Sequence, residues 1–313
     1  MKKILITGSC GFIFSNFVKN LDKYSNYKFV SVDKIIDSYN LRNIPTNHPF
    51  YMGDVANEQF MDNVFKIEKP NFVIHGSAQS FVDDSIKNAQ VFVDSNIVAT
   101  QVMVDLSLKY GVEKFHYCGT DEVYGQLQKG DEAWTEESIT KPRNPYSATK
   151  LAGELIVYAA SQTHGLKYNI TRCANNFGPV QPPRNLIPKI ITCLINNKPI
   201  PIHGNGDNYR EWIYVLDHCN AIMKILEDGK DNNIYNIGSG LELSNLEVVE
   251  KISIIMNKKP QINFIKDRAG HDKRYSVNFD KLKKIGWKSE FSHFDKMINY
   301  TIQWYIDNQD FYK

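Results

Sequence analysis

The sequence predicts an α/β protein: a doubly wound parallel sheet with a smaller C-terminal unit interwoven with it. Three observations lead there. Short β-branched or aromatic runs alternate with longer amphipathic segments through the first half, the pattern of parallel strands joined by helices. A glycine-rich turn lies between the first strand and the first helix. After about residue 175 the texture changes, and Gly178-Pro179, Pro182-Pro183 and Gly204-Asn205-Gly206 mark loops.

Ile4–Thr7, Phe29–Asp33, Phe72–His75 and Phe115–Cys118 read as strands, because each is a short β-branched or aromatic run. Apolar residues at helical spacing cover 12–23, 57–68, 91–110 and 146–163. Further helices are expected near 186–197 and 217–228, with a strand at Ile234–Ile237. The tail from 244 carries more helices and ends on one at 295–308.

The 313 residues suffice for two domains and a substantial core. With 42% hydrophobic and 23% charged residues the composition is that of an ordinary globular chain. The net charge of +2 is spread along the chain, so neither a nucleic acid nor a membrane surface is expected as partner. No stretch reads as long and apolar enough to span a membrane. Five cysteines with no C-x-x-C pair argue against a disulfide framework and a zinc site, and no metal is expected. Met1-Lys2-Lys3 leads into an apolar run too short for a signal-peptide core, so a cytoplasmic location is expected.

Thr7-Gly8-Ser9-Cys10-Gly11-Phe12-Ile13-Phe14 follows the first strand and opens a helix. Gly8 permits a tight turn, and Gly11 lets the backbone approach a pyrophosphate at the helix N-terminus. The third position of this pattern should be small; here it is Phe14, which would widen the helix–sheet spacing or turn its ring outward. Asp33 ends the second strand, where a carboxylate holds ribose hydroxyls and repels a 2′-phosphate, favouring NAD over NADP. Asp54 either meets the adenine edge or caps a turn. The whole reads as a Rossmann-like fold.

Tyr146 and Lys150 lie four apart, on one helix face. An unperturbed tyrosine has a pKa of about 10. A nearby ammonium and the positive nicotinamide of bound NAD favour the phenolate. A phenolate there accepts a proton from a hydroxyl while hydride leaves the same carbon. Thr120-Asp121-Glu122 falls at a strand C-terminal end, where ligands gather in open α/β sheets. Two adjacent acids there can serve as acid and base for removing water, or can simply cap a helix.

With these motifs in place, the chain resembles the extended short-chain dehydrogenase/reductases, and more narrowly the nucleotide-sugar 4,6-dehydratases. Thr-Asp-Glu-Val-Tyr-Gly at 120–125 is the specific part; the related epimerases usually carry small hydroxyl residues in place of the two acids. The likeness extends to His75–Ser80, Asn144–Lys150, Asn175–Pro179, Leu186–Pro188, Arg210–Tyr214, Tyr235–Gly238 and Asp267–His271. It implies NAD, held by Gly8, Gly11, Phe12, Ile13, Asp33, Lys34, Asp54, Val55, Ser77, Ala78, Tyr146 and Lys150. It implies the chemistry too. Tyr146 with Lys150 takes the C4 hydroxyl proton as hydride passes to NAD, and Thr120 hydrogen-bonds the C4 oxygen. Glu122 removes the C5 proton, Asp121 protonates the departing C6 hydroxyl, and hydride returns to C6.

By the same resemblance Gln79, Ser80, Asp83, Asn176, Asn185, Leu186, His203, Arg210, Asn236, Arg268 and His271 contact the substrate, with the arginines on its diphosphate. Asn185 stands where many bacterial relatives place Lys. Gln79 and His203 look closer to UDP-glucose enzymes of the UDP-rhamnose type than to dTDP-glucose enzymes, so UDP-glucose is favoured. The NAD unit is expected at 1–175 plus about 210–237, and the nucleotide-sugar unit at about 176–209 plus 238–313. A homodimer through the helices near 91–110 and 146–163 is implied. The rivals are a dTDP-glucose 4,6-dehydratase, a UDP-sugar 4-epimerase, which has no need of Glu122, and a non-catalytic NAD-binding scaffold, which would have no need of the Tyr146/Lys150 pair.

Overall fold

A computed structural model of the protein describes residues 1–35, 41–267 and 270–311. In chain order the strands are β1 Lys2–Thr7, β2 Tyr27–Asp33, β3 Phe50–Met52, β4 Phe72–His75, β5 Lys114–Thr120, β6 Tyr168–Cys173, β7 Asn175–Phe177, β8 Ile200–His203, β9 Tyr209–Tyr214, β10 Asn233–Ile237, β11 Glu242–Ser244 and β12 Ile262–Ile265. Seven of them form one parallel sheet in the order β10-β6-β5-β4-β1-β2-β3. The order reverses between β1 and β4, and a crevice opens outside their carboxyl ends.

Strand alternation sends side chains to both faces, and both are covered. Ile4, Ile6, Phe29 and Ile74 pack with Phe14, Phe17 and the helix Val215–Asp228. Leu5, Val30, Val73, Phe115 and Tyr117 pack on the other face against the helices Glu58–Glu68, Ala99–Lys109 and Pro145–His164. A third apolar core, around Phe177, Ile190, Trp212 and Ile298, lies under the second unit. There β7, β9 and β11 form a three-stranded sheet and β8 pairs with β12. The boundary expected near 210 is therefore corrected: β9 runs in this smaller sheet, and only the following helix and β10 return to the large one.

The first helix covers Phe12–Val18, shorter than 12–23. Ser15 Oγ and Asn16 Nδ2 both donate to the Phe12 carbonyl, and Asn20 Nδ2 donates to the Asn16 carbonyl. Such short polar side chains compete with the helical ladder. The helix expected at 91–110 starts at Ala89 and passes through a wide turn at Asp94–Val98. That turn presents Asn96 to the loop after β4, where Asn96 Oδ1 accepts from Gln79 N and Nδ2 donates to the Gln79 carbonyl. The whole stretch Ala89–Lys109 does reach the length and apolarity of a membrane span, contrary to the sequence reading. Half of its apolar window is buried inside the fold.

Phe14 neither widens the helix–sheet spacing nor turns outward. Its ring is 4% exposed and lies on Gly76, in the space a β-carbon at 76 would take. It stands edge-on to Phe17, with ring centroids 6.2 Å apart. The large residue at 14 is thus matched by the absent side chain at 76. Phe14→Ala should cost about 3–5 kcal/mol in urea unfolding, and Gly76→Leu should also destabilise, by overpacking. The double variant should be more stable than the sum of the two losses allows. Additivity to within about 0.5 kcal/mol would refute this packing account.

Candidate active site

One cleft at the carboxyl ends of β1, β4, β5 and β6 gathers most of the residues singled out from sequence. Its lining includes Gly8, Gly11, Phe12, Ile13, Asp33, Lys34, Asp54, Val55, Ser77, Ala78, Gln79, Ser80, Thr120, Asp121, Glu122, Tyr146, Lys150, Asn176 and Asn185.

At the nucleotide end, Gly8 has φ +78°, and a β-carbon there would come within 2.8 Å of Ser77 N. Thr7 Oγ1 accepts from the Gly76 and Ser77 amides, so β1 and β4 stay close where the loops part. Asp33 Oδ2 accepts from Cys10 N at 2.7 Å. Burial pushes the Asp33 carboxyl up to about 6, against hydrogen bonds from nearby amides that favour its charge. It remains mainly ionised at neutral pH, as ribose recognition requires. Asp54 lines the cleft and holds a turn: its Oδ1 accepts from Ala56 N while Oδ2 pairs with Lys34 at 2.7 Å. The glycine turn and Asp33 thus fit a dinucleotide.

At the chemical end, Pro145–His164 is a 20-residue helix started by Asn144, whose Oδ1 accepts from Ser147 N, with Pro145 in its first turn. It carries Tyr146 and Lys150 to the end of β5. Burial holds the Tyr146 phenol well above its ordinary value, Glu122 adds to this, and a hydrogen bond with Thr120 opposes it. Among the protein groups desolvation sets the direction, and Lys150 is not one of the groups that offset it. Burial also brings the Lys150 ammonium down to about 8, and its Nζ lies 4.3 Å from the Tyr117 ring centroid.

The two acids occupy different surroundings. Asp121 is 3% exposed and its Oδ2 has no hydrogen-bond partner among the described residues. Burial first, then Glu122 and Glu211, hold its carboxyl well above the usual range, which favours the protonated form. Glu122 is only partly buried, and its Oε2 accepts from Asn144 Nδ2 at 3.0 Å. Two adjacent carboxyls are thereby held in different surroundings, as opposite proton-transfer tasks would require.

The substrate assignments fare less evenly. Asn236 is overturned: it is fully buried, its Nδ2 donates to the Trp134 and Asn278 carbonyls, and its Oδ1 accepts from Tyr124. Every polar atom of that side chain is spent on holding loops. Asp83, Leu186, His203, Arg210 and His271 lie outside the cleft lining. Leu186 packs on the third core. His203 bonds the Lys266 carbonyl and stands edge-on to His271, whose Nδ1 pairs with Asp267. Arg210 donates to the Tyr209 and Asp272 carbonyls, although its charge still favours the ionised form of Asp121. Arg268 lies outside the described residues.

Sequence reasoning missed Asn175, Gln181 and His218, which also line the cleft. Asn176 donates to the Ala174 carbonyl and bonds His218 through Oδ1, whereas Asn175 Oδ1 and Gln181 Oε1 have no hydrogen-bond partner among the described residues. Alternation along β7 was the available signal, since neighbours on a strand face opposite ways. Val180, just before Gln181, holds φ +67°, a conformation that costs a β-branched residue about 1–3 kcal/mol and recurs at binding sites.

Because the ammonium is needed beside Tyr146, kcat/KM should fall as pH rises through about 8, where Lys150 loses its proton. Activity retained by Lys150→Arg, whose guanidinium stays charged, should lack that limb. An unchanged alkaline limb in the variant would show that another group titrates there.

Residues 4–238 match the model of the NAD dependent epimerase/dehydratase family. The chain is 40% identical over 313 residues to the low-salt glycan biosynthesis protein Agl12 of Haloferax volcanii, covering 98% of this chain and 99% of that protein. It is 36% identical to a dTDP-glucose 4,6-dehydratase of Streptomyces niveus, covering 98% and 94%. The fold matches the solved dTDP-glucose 4,6-dehydratase of Streptomyces venezuelae with NAD bound, at a TM-score of 0.94, 32% identity and 99% coverage of both chains. A UDP-glucose 4-epimerase of Thermotoga maritima matches at a TM-score of 0.92 and 26% identity, covering 98% and 100%. With the glycine turn, the Tyr146/Lys150 pair and the Asp121/Glu122 pair in one cleft, the chain belongs to the NAD-dependent epimerase/dehydratase family of extended short-chain dehydrogenase/reductases.

Proposed function

We propose that this protein is a nucleoside-diphosphate-glucose 4,6-dehydratase that takes dTDP-glucose in preference to UDP-glucose. The observation that carries the dehydratase reading is Asp121, a buried carboxyl whose surroundings favour its protonated form, next to Glu122 in the cleft that holds Tyr146. An epimerase has no use for that pair. The UDP-glucose expectation leaned on Gln79 and His203, and His203 stands outside the cleft. The relatives named above as dehydratases act, by their names, on dTDP-glucose, which moves the proposal to that nucleotide.

NAD, when bound, supplies the acceptor that takes a hydride from C4 and returns it at C6. Gly8 to Ile13, Asp33 and the Ser77–Ala78 loop would hold it. Tyr146 receives the C4 hydroxyl proton once Lys150 and the cofactor's positive charge bring the phenol down, and Thr120 steadies the C4 oxygen. The resulting ketone acidifies C5. Glu122 takes that proton, and Asp121 gives its own to the C6 hydroxyl, which departs as water. As the hydride returns at C6 a proton is returned to C5, and the product is a 4-keto-6-deoxy sugar nucleotide, a precursor suited to rhamnose-type deoxysugars.

The reading extends to assembly and location. Val91, Val98, Leu155 and Tyr158 are 40, 42, 58 and 50% exposed on the outer faces of the helices at 89–109 and 145–164. Apolar side chains gathered on adjoining helices suit an interface, here a homodimer through four helices. All five cysteines are unpaired, in keeping with a cytoplasmic protein.

Incubated with dTDP-glucose and UDP-glucose side by side, the protein should make the 4-keto-6-deoxy product with no added hydride donor, faster from the former. A 4-epimer as sole product would overturn the reaction class, and faster turnover of UDP-glucose would overturn the nucleotide. Glu122→Gln should still oxidise C4 and should lose elimination by about 10²–10⁴-fold; full turnover would remove Glu122 from the role of base. Light scattering at micromolar concentration should give a dimer that Leu155→Asp/Tyr158→Asp converts to monomer.

A further inference from the structure

The segment after residue 270 carries His271 and runs to Val277, bridging to Leu127 and Tyr209 at Arg274 and to Trp134 at Val277. Its Asp272 side chain ties it to Arg143, the residue before the cap of the catalytic helix. This carboxylate is 2% exposed. Its Oδ1 accepts from Arg143 Nη1 at 2.7 Å, and its Oδ2 accepts from the Tyr275 hydroxyl. Its backbone carbonyl accepts from Asn208 Nδ2 at 3.1 Å and from Arg210 Nη2 at 2.9 Å. The Arg210 guanidinium lies over the Tyr275 ring, 4.4 Å from its centroid. Asp272 thus stands between Arg210 on one side and Arg143 on the other.

Arg143 is held by two hydrogen bonds and one close backbone contact. Besides Asp272, its Nη1 donates to Gln126 Oε1, which also accepts from Lys273 N at 3.3 Å. Gly270 packs so closely on the Arg143 carbonyl that a β-carbon there would come within 3.1 Å. The next residue in the chain is Asn144. One side of its amide starts the helix that holds Tyr146 and Lys150, and the other donates to Glu122 Oε2. A path of direct contacts therefore runs Asp272–Arg143–Asn144–Glu122.

We propose that Asp272 is a positioning residue for Glu122, acting through Arg143 and Asn144. The proposal rests on the reading of Glu122 as the base that takes the C5 proton. Asp272 touches none of the reacting atoms. Its charge holds the Arg143 guanidinium, which fixes the backbone at 143–144 and with it the amide that aims the Glu122 carboxylate. A base needs hydrogen-bond reach and alignment to its proton, and a displacement near 1 Å costs about 10²-fold. The contacts also run from the base to the Arg210 and Tyr275 side chains, so order in the 270–277 segment and aim of the base are linked.

A merely structural pin would slow every step alike, whereas a positioning residue slows the step its target performs. The test separates C4 oxidation, read as reduced-nicotinamide absorbance in a single turnover, from C5 proton removal, read as deuterium wash-in from heavy water. Asp272→Asn should retain C4 oxidation and lose C5 exchange and kcat by about 10–100-fold, with KM changed much less. Arg143→Gln, on a side chain 41% exposed, should reproduce the effect without endangering the fold, and Arg143→Lys should restore part of it. Added to Glu122→Gln, Asp272→Asn should produce no further loss. Equal losses in oxidation and exchange, or additive losses in the double variant, would overturn the positioning role. Failure of the unaltered protein to exchange C5 hydrogen would instead overturn the dehydratase reading on which the proposal stands.

Discussion

The site depends on a buried ion pair beneath it. Arg172 on β6 donates through Nε and Nη2 to Glu154 on the catalytic helix, at 3.0 and 2.7 Å, with both side chains nearly withdrawn from water. The pair is reached across β5, where Gly119 leaves room: a β-carbon there would come within 2.5 Å of the Thr171 carbonyl and 2.7 Å of Glu154 Oε1. Such a pair adds little net stability once desolvation is counted, but losing one partner costs about 3–5 kcal/mol. Its value here is geometric. Glu154 is four residues beyond Lys150 and eight beyond Tyr146, on the same helix face, and Thr120 ends the strand that the pair crosses. Fixing Glu154 on Arg172 therefore fixes the phenol and the ammonium over the hydroxyl.

From that pair the packing runs into the second unit. The Arg172 guanidinium lies 4.7 Å from the Tyr124 ring centroid, Tyr124 donates to Asn236, and Asn236 holds the Trp134 and Asn278 carbonyls. Trp134 stacks on Tyr124 with ring centroids 5.3 Å apart. The loop after β5 and the chain that follows residue 270 are thereby brought against the catalytic strand. This explains why a residue of the Tyr235–Gly238 motif serves the structure and not the ligand.

Desolvation sets the chemistry of the cleft. The same burial that raises Asp121 and Tyr146 lowers Lys150, because water is withdrawn from whichever form carries charge. That direction suits Asp121 to the donor role proposed for it. Glu122, one residue on, keeps contact with the rim and an amide donor from Asn144. Adjacent residues at a strand end point to different surroundings, which is how a dipeptide of acids can divide the proposed tasks of acid and base.

The alternation of strand and helix in the first half, the glycine turn and the four-residue spacing of Tyr146 and Lys150 are local properties, and sequence by itself determined them, whereas β6 and the short strands of the second unit were not marked by any local run. Periodicity and turn chemistry act over a few residues and do not depend on what packs against them. Short-range polar competition moved boundaries, as at Val18, and left the elements themselves in place. Other features depended on contacts between distant segments. The ring of Phe14 found its space only because residue 76, on another strand end, lacks a side chain. Asn236 and Arg210 look like ligand contacts in a motif, yet carbonyls far along the chain engage their donors. Which of Asn175 and Asn176 keeps a free acceptor was settled by His218, more than forty residues away. A polar side chain is free to bind only if the fold leaves it unpaired, and that pairing is made by neighbours in space, which only the tertiary structure decides.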